Sequence, residues 1–137
     1  MIQVNEDLRT IELTRGDSTG NGFNKIAFKL PYYDGATKQE KDHEFLPEDK
    51  ISFVVMTKKG YTKSEVFRKE YTLREIGYFE PTTIVEIPLS SLDTKCFPLT
   101  NKKATYWYDI VLNDSTTVLG FDSEGASKII VYPEAGE

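Results

Sequence analysis

The hydrophobic residues of this chain recur mostly at every second position rather than at the spacing of a helix. In the segment NKIAFKL, Ile26, Phe28 and Leu30 are separated by polar or small residues, and the segment DKISFVVMTKK repeats the alternation. Alternation of this kind places one set of side chains on a single face of an extended chain. The pattern predicts β-strands that bury one face.

The strongest alternation lies in the segment ATYWYDIVLND. Tyr106 and Tyr108 fall on one face and Trp107 on the other, and the segment is rich in the aromatic and β-branched residues that strands favour. Both faces are apolar enough to be buried, which is typical of a central strand or of one covered by a partner. The sequence alone leaves open which face is covered.

Further strands are predicted in the segments TIELTR, SEVFRKEYTL, TTIVEIPL, TTVLGF and SKIIVYP. Turn-forming segments separate them, among them GDSTGNG, YYDGAT, KKGYTK, LNDST and DSEGAS. Many short strands separated by such turns indicate an all-β fold, either a β-sandwich or a barrel. The one cysteine, Cys96, makes any such sandwich disulfide-free.

Two segments depart from the strand pattern. The polar segment PYYDGATKQEKDHEFLPEDK is predicted to be a long surface loop. In the segment PLSSLDTKCFPLTNKK, Leu89, Leu92 and Cys96 have helical spacing. The prolines that flank this segment limit a helix to about two turns. We therefore expect one short helical crossover near residues 89–96.

Length, charge and composition restrict the class of protein. A chain of 137 residues predicts a single domain over residues 1–137. No apolar run approaches the roughly 20 residues of a membrane span, and the segment MIQVNEDLRT lacks the features of a signal peptide. Synthesis in a cytoplasm without a membrane partner is expected. The net charge of −5 is spread along the chain, so no nucleic-acid partner is expected.

The residues that usually carry chemistry are few in this sequence. His43 is the one histidine and lies in a polar segment, where we expect it to be exposed and idle. Cys96 is expected to be a small buried hydrophobe. No cluster has the composition of a zinc or calcium site, and no phosphate-binding glycine motif is present. We predict no catalytic residue, no metal, no cofactor and no small-molecule ligand, although carboxylates from distant strands could still pair as in a hydrolase.

Five aromatic residues form the candidate interaction surface. Tyr32 and Tyr33 are neighbours in the predicted long loop, and Tyr106, Trp107 and Tyr108 share one strand. Exposed aromatic rings bind sugars or neighbouring subunits. Packing within the core is the simpler interpretation for the three strand residues.

The tripeptide of Arg15, Gly16 and Asp17 has two interpretations. In secreted adhesion proteins such a tripeptide can bind integrins, but a three-residue match is a weak motif. Here it follows a predicted strand and precedes turn-forming residues. Gly16 permits an unusual backbone angle, and Asp17 can accept a hydrogen bond from the backbone two residues on. We interpret the tripeptide as a structural turn.

Three segments together resemble a known family of proteins. They are TIELTRGDS, LPEDKISFVVMTKK and VEIPLSSLDTKCFPLTNKKATYWYDIVL, and the likeness runs roughly over residues 10–132. Its most specific parts are residues 14–17, 93–94 and 106–112. The chain resembles structural proteins of tailed phages and prophages, and is similar to the amino-terminal immunoglobulin-like domain of phage baseplate upper proteins.

The resemblance implies both a fold and a function. It implies an immunoglobulin-like β-sandwich of about 7–9 strands that serves as a virion structural protein in the baseplate or tail. Such a module has no enzymatic activity and no cofactor, is made in the bacterial cytoplasm, and contacts other virion proteins and further copies of itself. The alternative is a carbohydrate-binding or adhesion sandwich that uses the exposed aromatic residues.

Overall fold

Most of the regular secondary structure in the described part of the chain is β-strand. The computed structural model describes residues 1–5, 10–20, 24–58, 62–98, 102–119 and 128–134. The strands are β1 (Ile2–Asn5), β2 (Thr10–Thr14), β3 (Ala27–Phe28), β4 (Pro31–Asp34), β5 (Gln39–Asp42), β6 (Lys50–Met56), β7 (Glu65–Thr72), β8 (Val85–Glu86), β9 (Ala104–Leu112), β10 (Thr116–Leu119) and β11 (Lys128–Tyr132). Within these ranges the helical elements are α1 (Ser91–Thr94) and two 3-10 turns, η1 (Thr62–Ser64) and η2 (Arg74–Ile76).

In the described part of the chain, seven strands form one mixed sheet. Their order is β1-β2-β11-β9-β6-β7, and β10 also pairs with β9. The β2–β11 pair is parallel and every other pair in this sheet is antiparallel. Two small sheets stand apart, one formed by β3 with β8 and one by the β4–β5 hairpin. The long strands β6 and β9 therefore lie at the centre of the main sheet.

One face of the main sheet carries the hydrophobic core. Ile51, Phe53 and Val55 of β6 are buried there, and the register with β9 places Tyr108 and Ile110 beside them. The second layer of the same buried cluster comes from short strands and connections: Ile26, Phe28, Phe45, Leu73, Val85, Ile87, Leu89 and Phe97. We call this side of the main sheet the inner face and the opposite side the outer face.

The structure confirms the all-β, disulfide-free class and most of the predicted strands. The segment ATYWYDIVL is β9, with every second side chain buried. Predicted strands in NKIAFKL and TTIVEIPL shorten to the two-residue strands β3 and β8. Three strands were not predicted, namely β1, β4 and β5.

The prediction of a long loop over PYYDGATKQEKDHEFLPEDK was wrong in its first part, because β4 and β5 pair as an antiparallel hairpin. Its turn is held by Asp34 Oδ1, which accepts a hydrogen bond from the Ala36 N–H at 2.9 Å, and Lys38 adopts a positive φ of 57°. Almost every side chain of the hairpin is exposed. Without a buried face, the hairpin has no hydrophobic alternation that could predict it.

The predicted crossover near residues 89–96 contains α1, a single helical turn. A capping box begins it, since Ser90 Oγ accepts from the Asp93 N–H and the Asp93 carboxylate accepts from the Ser90 N–H. Lys69 on β7 donates to the same carboxylate at 2.6 Å. Burial raises the pKa of Asp93, but the hydrogen bonds from Lys69 and Ser90 outweigh it and leave the pKa below its ordinary value.

The expectation of a buried Cys96 was wrong. The thiol is exposed, and its Sγ–H donates to the Leu92 carbonyl at 3.5 Å. Helix α1 is too short to place residues 89, 92 and 96 together on one buried face. Phe97, rather than Cys96, is buried in the core. Leu92 is exposed for the same reason.

The tripeptide of Arg15, Gly16 and Asp17 forms the turn after β2 and binds the α1 segment. The Arg15 guanidinium donates to the carbonyls of Phe97 and Lys95, at 2.9 and 3.1 Å. Gly16 has a φ of 92°, a region that favours glycine. The Asp17 carboxylate contacts the α-amino group of Met1 instead of the backbone two residues on. The Arg15 guanidinium is therefore bound to main-chain carbonyls of the same chain.

Candidate protein interface on the outer face of the sheet

The five aromatic residues of the predicted interaction surface do not lie together. Tyr106 and Tyr108 are buried in the core, and Trp107 is half-buried on the outer face. Tyr32 and Tyr33 are 47% and 69% exposed on β4. As neighbours on one strand they point to opposite sides of the hairpin. Of the five, only Trp107 lies on the central strands with a side chain outside the core.

The outer face of β6 is apolar at its centre. Val54 and Met56 are buried although they point away from the core, and Ser52 completes the row. The register places Val111 beside Ser52 and Trp107 beside Met56. The two central strands therefore have apolar side chains on both faces, which is uncommon where one side of an antiparallel sheet meets solvent.

A cavity of about 220 Å³ opens on this face, and we call it the outer cavity. Its lining residues come from β6, β7, β9 and the β9–β10 turn: Ser52, Val54, Met56, Arg68, Asp109, Val111 and Asp114. Val54, Met56 and Val111 supply apolar surface, and the charged residues surround them. Trp107 is not one of the lining residues, but it pairs with the lining residue Met56 in the β6–β9 register.

Arg68 occupies the β7 side of the outer cavity in a fixed network of ion pairs. Its Nε donates to Glu65 at 2.6 Å and its Nη1 donates to Glu70 at 2.9 Å. These hydrogen bonds raise the pKa of Arg68, and Arg68 together with Lys50 lowers the pKa of Glu70. The guanidinium charge is thus already matched by two carboxylates.

The β9–β10 turn brings Asp114 to the other side of the outer cavity. Asn113 and Asp114 both have positive φ, at 51° and 60°, a conformation that Asn and Asp tolerate better than most residues. Asn113 Oδ1 accepts from the Lys50 N–H at 2.8 Å, which fixes the turn against β6. The Lys50 ammonium lies 3.1 Å from Asp114 and 3.4 Å from Glu70, and the pKa of Lys50 is raised mainly by Asp114.

Oppositely charged groups are paired around the outer cavity. Arg68 contacts Glu65 and Glu70, and Lys50 contacts Glu70 and Asp114. Asp109 completes the charged lining and also has an interaction partner.

The Ser52 hydroxyl is the exception in this otherwise bonded site. Ser52 is 1% exposed, and its Oγ has no hydrogen-bond partner within the described part of the chain. Buried hydroxyls are nearly always hydrogen-bonded, so each exception calls for an explanation. Ser52 lies at the outer cavity, but its oxygen has almost no surface that a water molecule can reach. The unpaired hydroxyl is therefore expected to lower the stability of the fold.

Replacement of Ser52 by alanine is expected to raise the free energy of unfolding by about 1 kcal/mol, because burying an unpaired hydroxyl costs about 1–3 kcal/mol. Urea denaturation followed by circular dichroism measures the change. Ser64→Ala is the control, since the Ser64 hydroxyl is bonded to the main chain of Lys58 and its loss is expected to destabilise. Equal destabilisation by both changes would show that the Ser52 hydroxyl is bonded in solution.

A second cavity, of about 280 Å³, lies between β3, β8 and the segment around Asn24. Two of its polar side chains are bonded within the protein. The Asn24 amide accepts from the Ile2 N–H and donates to the Ser18 carbonyl, each at 3.0 Å. Lys25 pairs with Glu86 at 3.3 Å.

Other candidate chemistry is sparse in the ranges that the structure describes. The His43 ring is half-buried and packs edge-on against Phe45, with centroids 4.8 Å apart. Among the described residues, no group of three or more His, Cys, Asp or Glu could hold a metal ion. Over the same ranges, no helix has the length and hydropathy to cross a membrane.

The chain matches no protein-family model, no curated protein and no solved structure. The candidate site is therefore inferred only from the arrangement of its residues. Sequence reasoning singled out Trp107 but missed Ser52, Asp109 and Asp114. One signal was available, the uninterrupted apolar run that follows Ser52 in β6, since a run without polar positions predicts a strand apolar on both faces.

Proposed function

We propose that this chain is a non-enzymatic structural module of a tailed-phage or prophage virion, associated with the baseplate or tail. It acts through protein–protein contacts, with the outer face of β6 and β9 as its docking surface. The observation that carries the proposal is the group of apolar side chains on the outer face, Val54, Met56 and Val111, with ion pairs beside it. An apolar centre with a charged rim is the usual anatomy of a protein interface.

Trp107 is the residue best placed to anchor such a contact. It pairs with Met56 on the outer face, and its side chain is half-buried, so part of it remains available to a partner. Tryptophan is among the residues that most often dominate binding energy at interfaces. The neighbours of Trp107 in this proposal are other virion proteins and further copies of the same chain.

The virion part of the proposal rests on the resemblance described above. Two of the three most specific segments, residues 14–17 and 93–94, meet in the hydrogen bonds of Thr94 with Gly16 and Asp17. The third, residues 106–112, belongs to the central strand β9. We propose that residues 1–137 form a single immunoglobulin-like domain, made in the bacterial cytoplasm and then built into the particle.

The geometry of the described residues supports the two competing functions less well than it supports a protein interface. A carbohydrate-binding site would use Tyr32 and Tyr33, which are exposed but point to opposite sides of the hairpin and so form no common platform. A hydrolase would use paired acids, and Asp109 with Asp114 lines the outer cavity. Asp114, however, is 64% exposed and paired with Lys50, whereas a general acid is usually a desolvated carboxyl group.

Self-association tests the proposal. We expect light scattering coupled to size-exclusion chromatography to show an oligomer that forms as the protein concentration is raised. Trp107→Ala is expected to weaken this association about tenfold or more, as loss of an interface anchor does. Tyr33→Ala, which removes another exposed ring, is the matched control and is expected to leave it unchanged. A monomer at every concentration, or equal effects of the two changes, would contradict the outer-face interface.

A further inference from the structure

We propose that β7 pairs edge to edge with β7 of a second copy of this chain, in antiparallel orientation about a two-fold axis at Lys69. The contact uses the free edge of the main sheet over residues 67–71, which we call the β7 edge, and not the outer face. It therefore adds a second interaction surface to the one in the proposed function. The observations that carry the inference are the open side of β7 and the order of its side chains.

Strand β7 ends the main sheet with one side unpaired. In the described part of the chain it pairs only with β6. Successive residues of an antiparallel strand direct their N–H and C=O groups to opposite sides. The Leu73 N–H donates to the Asp49 carbonyl at 3.2 Å, just before β6 begins. By alternation Lys69 also faces β6, whereas Arg68 and Glu70 direct their main-chain groups to the open side.

The opposite edge of the main sheet is less open. Strand β1 forms that edge, but its Ile2 N–H donates to Asn24 Oδ1 at 3.0 Å and its Ile2 carbonyl accepts from the Lys25 N–H at 3.3 Å. Among the described residues, no such contact covers the outward main-chain groups of Arg68 and Glu70. An unpaired edge of this kind is a ready template for an added strand.

The side chains of the β7 edge are complementary to those of a reversed copy. The segment reads FRKEY, so residues at equal distances from Lys69 have matching chemistry. Arg68 is the counterpart of Glu70, and Phe67 is the counterpart of Tyr71. In an antiparallel pair centred on Lys69, each residue lies opposite its counterpart on the same face of the sheet. Opposite charges and aromatic pairs in such positions stabilise strand pairing.

The charges also select the register of the pair. An axis one residue earlier places Arg68 opposite its own copy, and an axis one residue later does the same to Glu70. Like charges directly opposite each other are destabilising. With the axis at Lys69, only Lys69 meets its own copy, and its ammonium lies 2.6 Å from the Asp93 carboxylate of its own chain. That ion pair offsets the repulsion between the two lysines.

The pairing joins the two main sheets into one continuous sheet. Arg68 and Glu70 already contact each other at 2.9 Å within one chain, and their side chains are 46% and 39% exposed. In the dimer the two ion pairs form a network of four alternating charges across the axis. The axis is perpendicular to the sheet, so the outer faces of both copies lie on the same side and remain available to other partners.

Two charge-reversed variants test the pairing. Arg68→Glu makes both outward positions of the β7 edge acidic, and Glu70→Arg makes both basic. Each variant alone is expected to dimerise about tenfold or more weakly than the unchanged protein, because like charges then lie opposite each other. An equimolar mixture is expected to form a heterodimer, since opposite charges face each other again. Native mass spectrometry separates the heterodimer from the homodimers by mass.

The matched controls are Lys29→Glu and Asp42→Lys, which reverse the charges of another exposed ion pair, outside the main sheet. Each control is expected to associate like the unchanged protein, and their mixture to show no preference for a heterodimer. Each change alters the net charge of −5 by two units, so both β7 variants stay negative and general attraction does not join them. No preference for the heterodimer of the β7 variants, or an equal preference in the control mixture, would overturn the inference.

Hydrogen exchange locates the contact in the unchanged protein. As the protein concentration is raised, the Arg68 and Glu70 amides are expected to exchange about tenfold more slowly, because they become hydrogen-bonded to the second copy. The Val4 amide, on the opposite edge strand β1, is the control and is expected to keep its rate. Unchanged exchange at Arg68 and Glu70 at every concentration contradicts the pairing.

The outcomes separate this inference from the outer-face interface. If mixing restores dimerisation and Trp107→Ala has no effect, the β7 edge is the surface of self-association and the outer face is not. If Trp107→Ala weakens association and the β7 variants do not, the outer face stands and the pairing of β7 is wrong. If both sets of variants act, the chain associates through two separate surfaces.

Discussion

Replacement of Phe53 by alanine is expected to lower the free energy of unfolding by about 4 kcal/mol. Phe53 is fully buried at the centre of β6. Its ring lies against Phe67 and Tyr108, with centroid distances of 6.2 and 5.8 Å. Truncation of a buried phenylalanine removes its transfer free energy and leaves a cavity, which together cost about 3–5 kcal/mol. Urea denaturation followed by circular dichroism measures the loss.

The control for this prediction is the same change at an exposed ring. Phe79 is 66% exposed, and the Arg74 guanidinium lies 6.0 Å from its ring centroid. A cation–π contact at an exposed site contributes about 0.5–1 kcal/mol, so Phe79→Ala is expected to cost no more than that. Similar losses for the two variants would mean that β6 does not carry the main core.

Replacement of Thr94 by valine is expected to lower the free energy of unfolding by about 2–3 kcal/mol. Thr94 is fully buried, and its Oγ1 accepts from the Gly16 N–H at 2.9 Å. The same hydroxyl donates to the Asp17 carbonyl at 2.8 Å. Valine keeps the shape but leaves both backbone groups without this partner, and each unsatisfied buried group costs about 1–3 kcal/mol.

Two measurements check the prediction for Thr94. Chemical denaturation gives the total loss, and hydrogen exchange is expected to show faster exchange at the Gly16 amide than in the unchanged protein. Thr83→Val is the control, because Thr83 is exposed and such surface changes usually stay within about 0.5 kcal/mol. An unchanged Gly16 amide in Thr94→Val would mean that this hydrogen bond does not hold the turn in solution.

The sequence predicts those parts of the fold in which burial alternates along a strand. Alternation in ATYWYDIVL gave the bounds of β9 and set Trp107 apart from Tyr106 and Tyr108. Alternation alone could not say which set enters the core. That choice depends on the register with β6, where Tyr108 pairs with Val55 and Trp107 with Met56.

The candidate site could not be predicted because its residues meet only through strand pairing. Ser52 and Asp114 are far apart in sequence, and a register shift of one residue would turn Ser52 to the other face. The β4–β5 hairpin escaped prediction for a different reason. Its side chains are almost all exposed, so its stability comes from backbone pairing and turn geometry, which leave no hydrophobic pattern.

The concave shape of the outer cavity restricts the symmetry of any assembly built through this face. In a two-fold dimer centred on the cavity, each concave surface would lie against its own copy and the two would enclose a void. A void forfeits the packing contacts of the atoms that line it. A head-to-tail contact, in which a different surface of the neighbour fills the cavity, avoids this void. Such contacts either close into rings or continue as helical filaments, so the shape of one small cavity favours cyclic or helical assemblies over two-fold dimers.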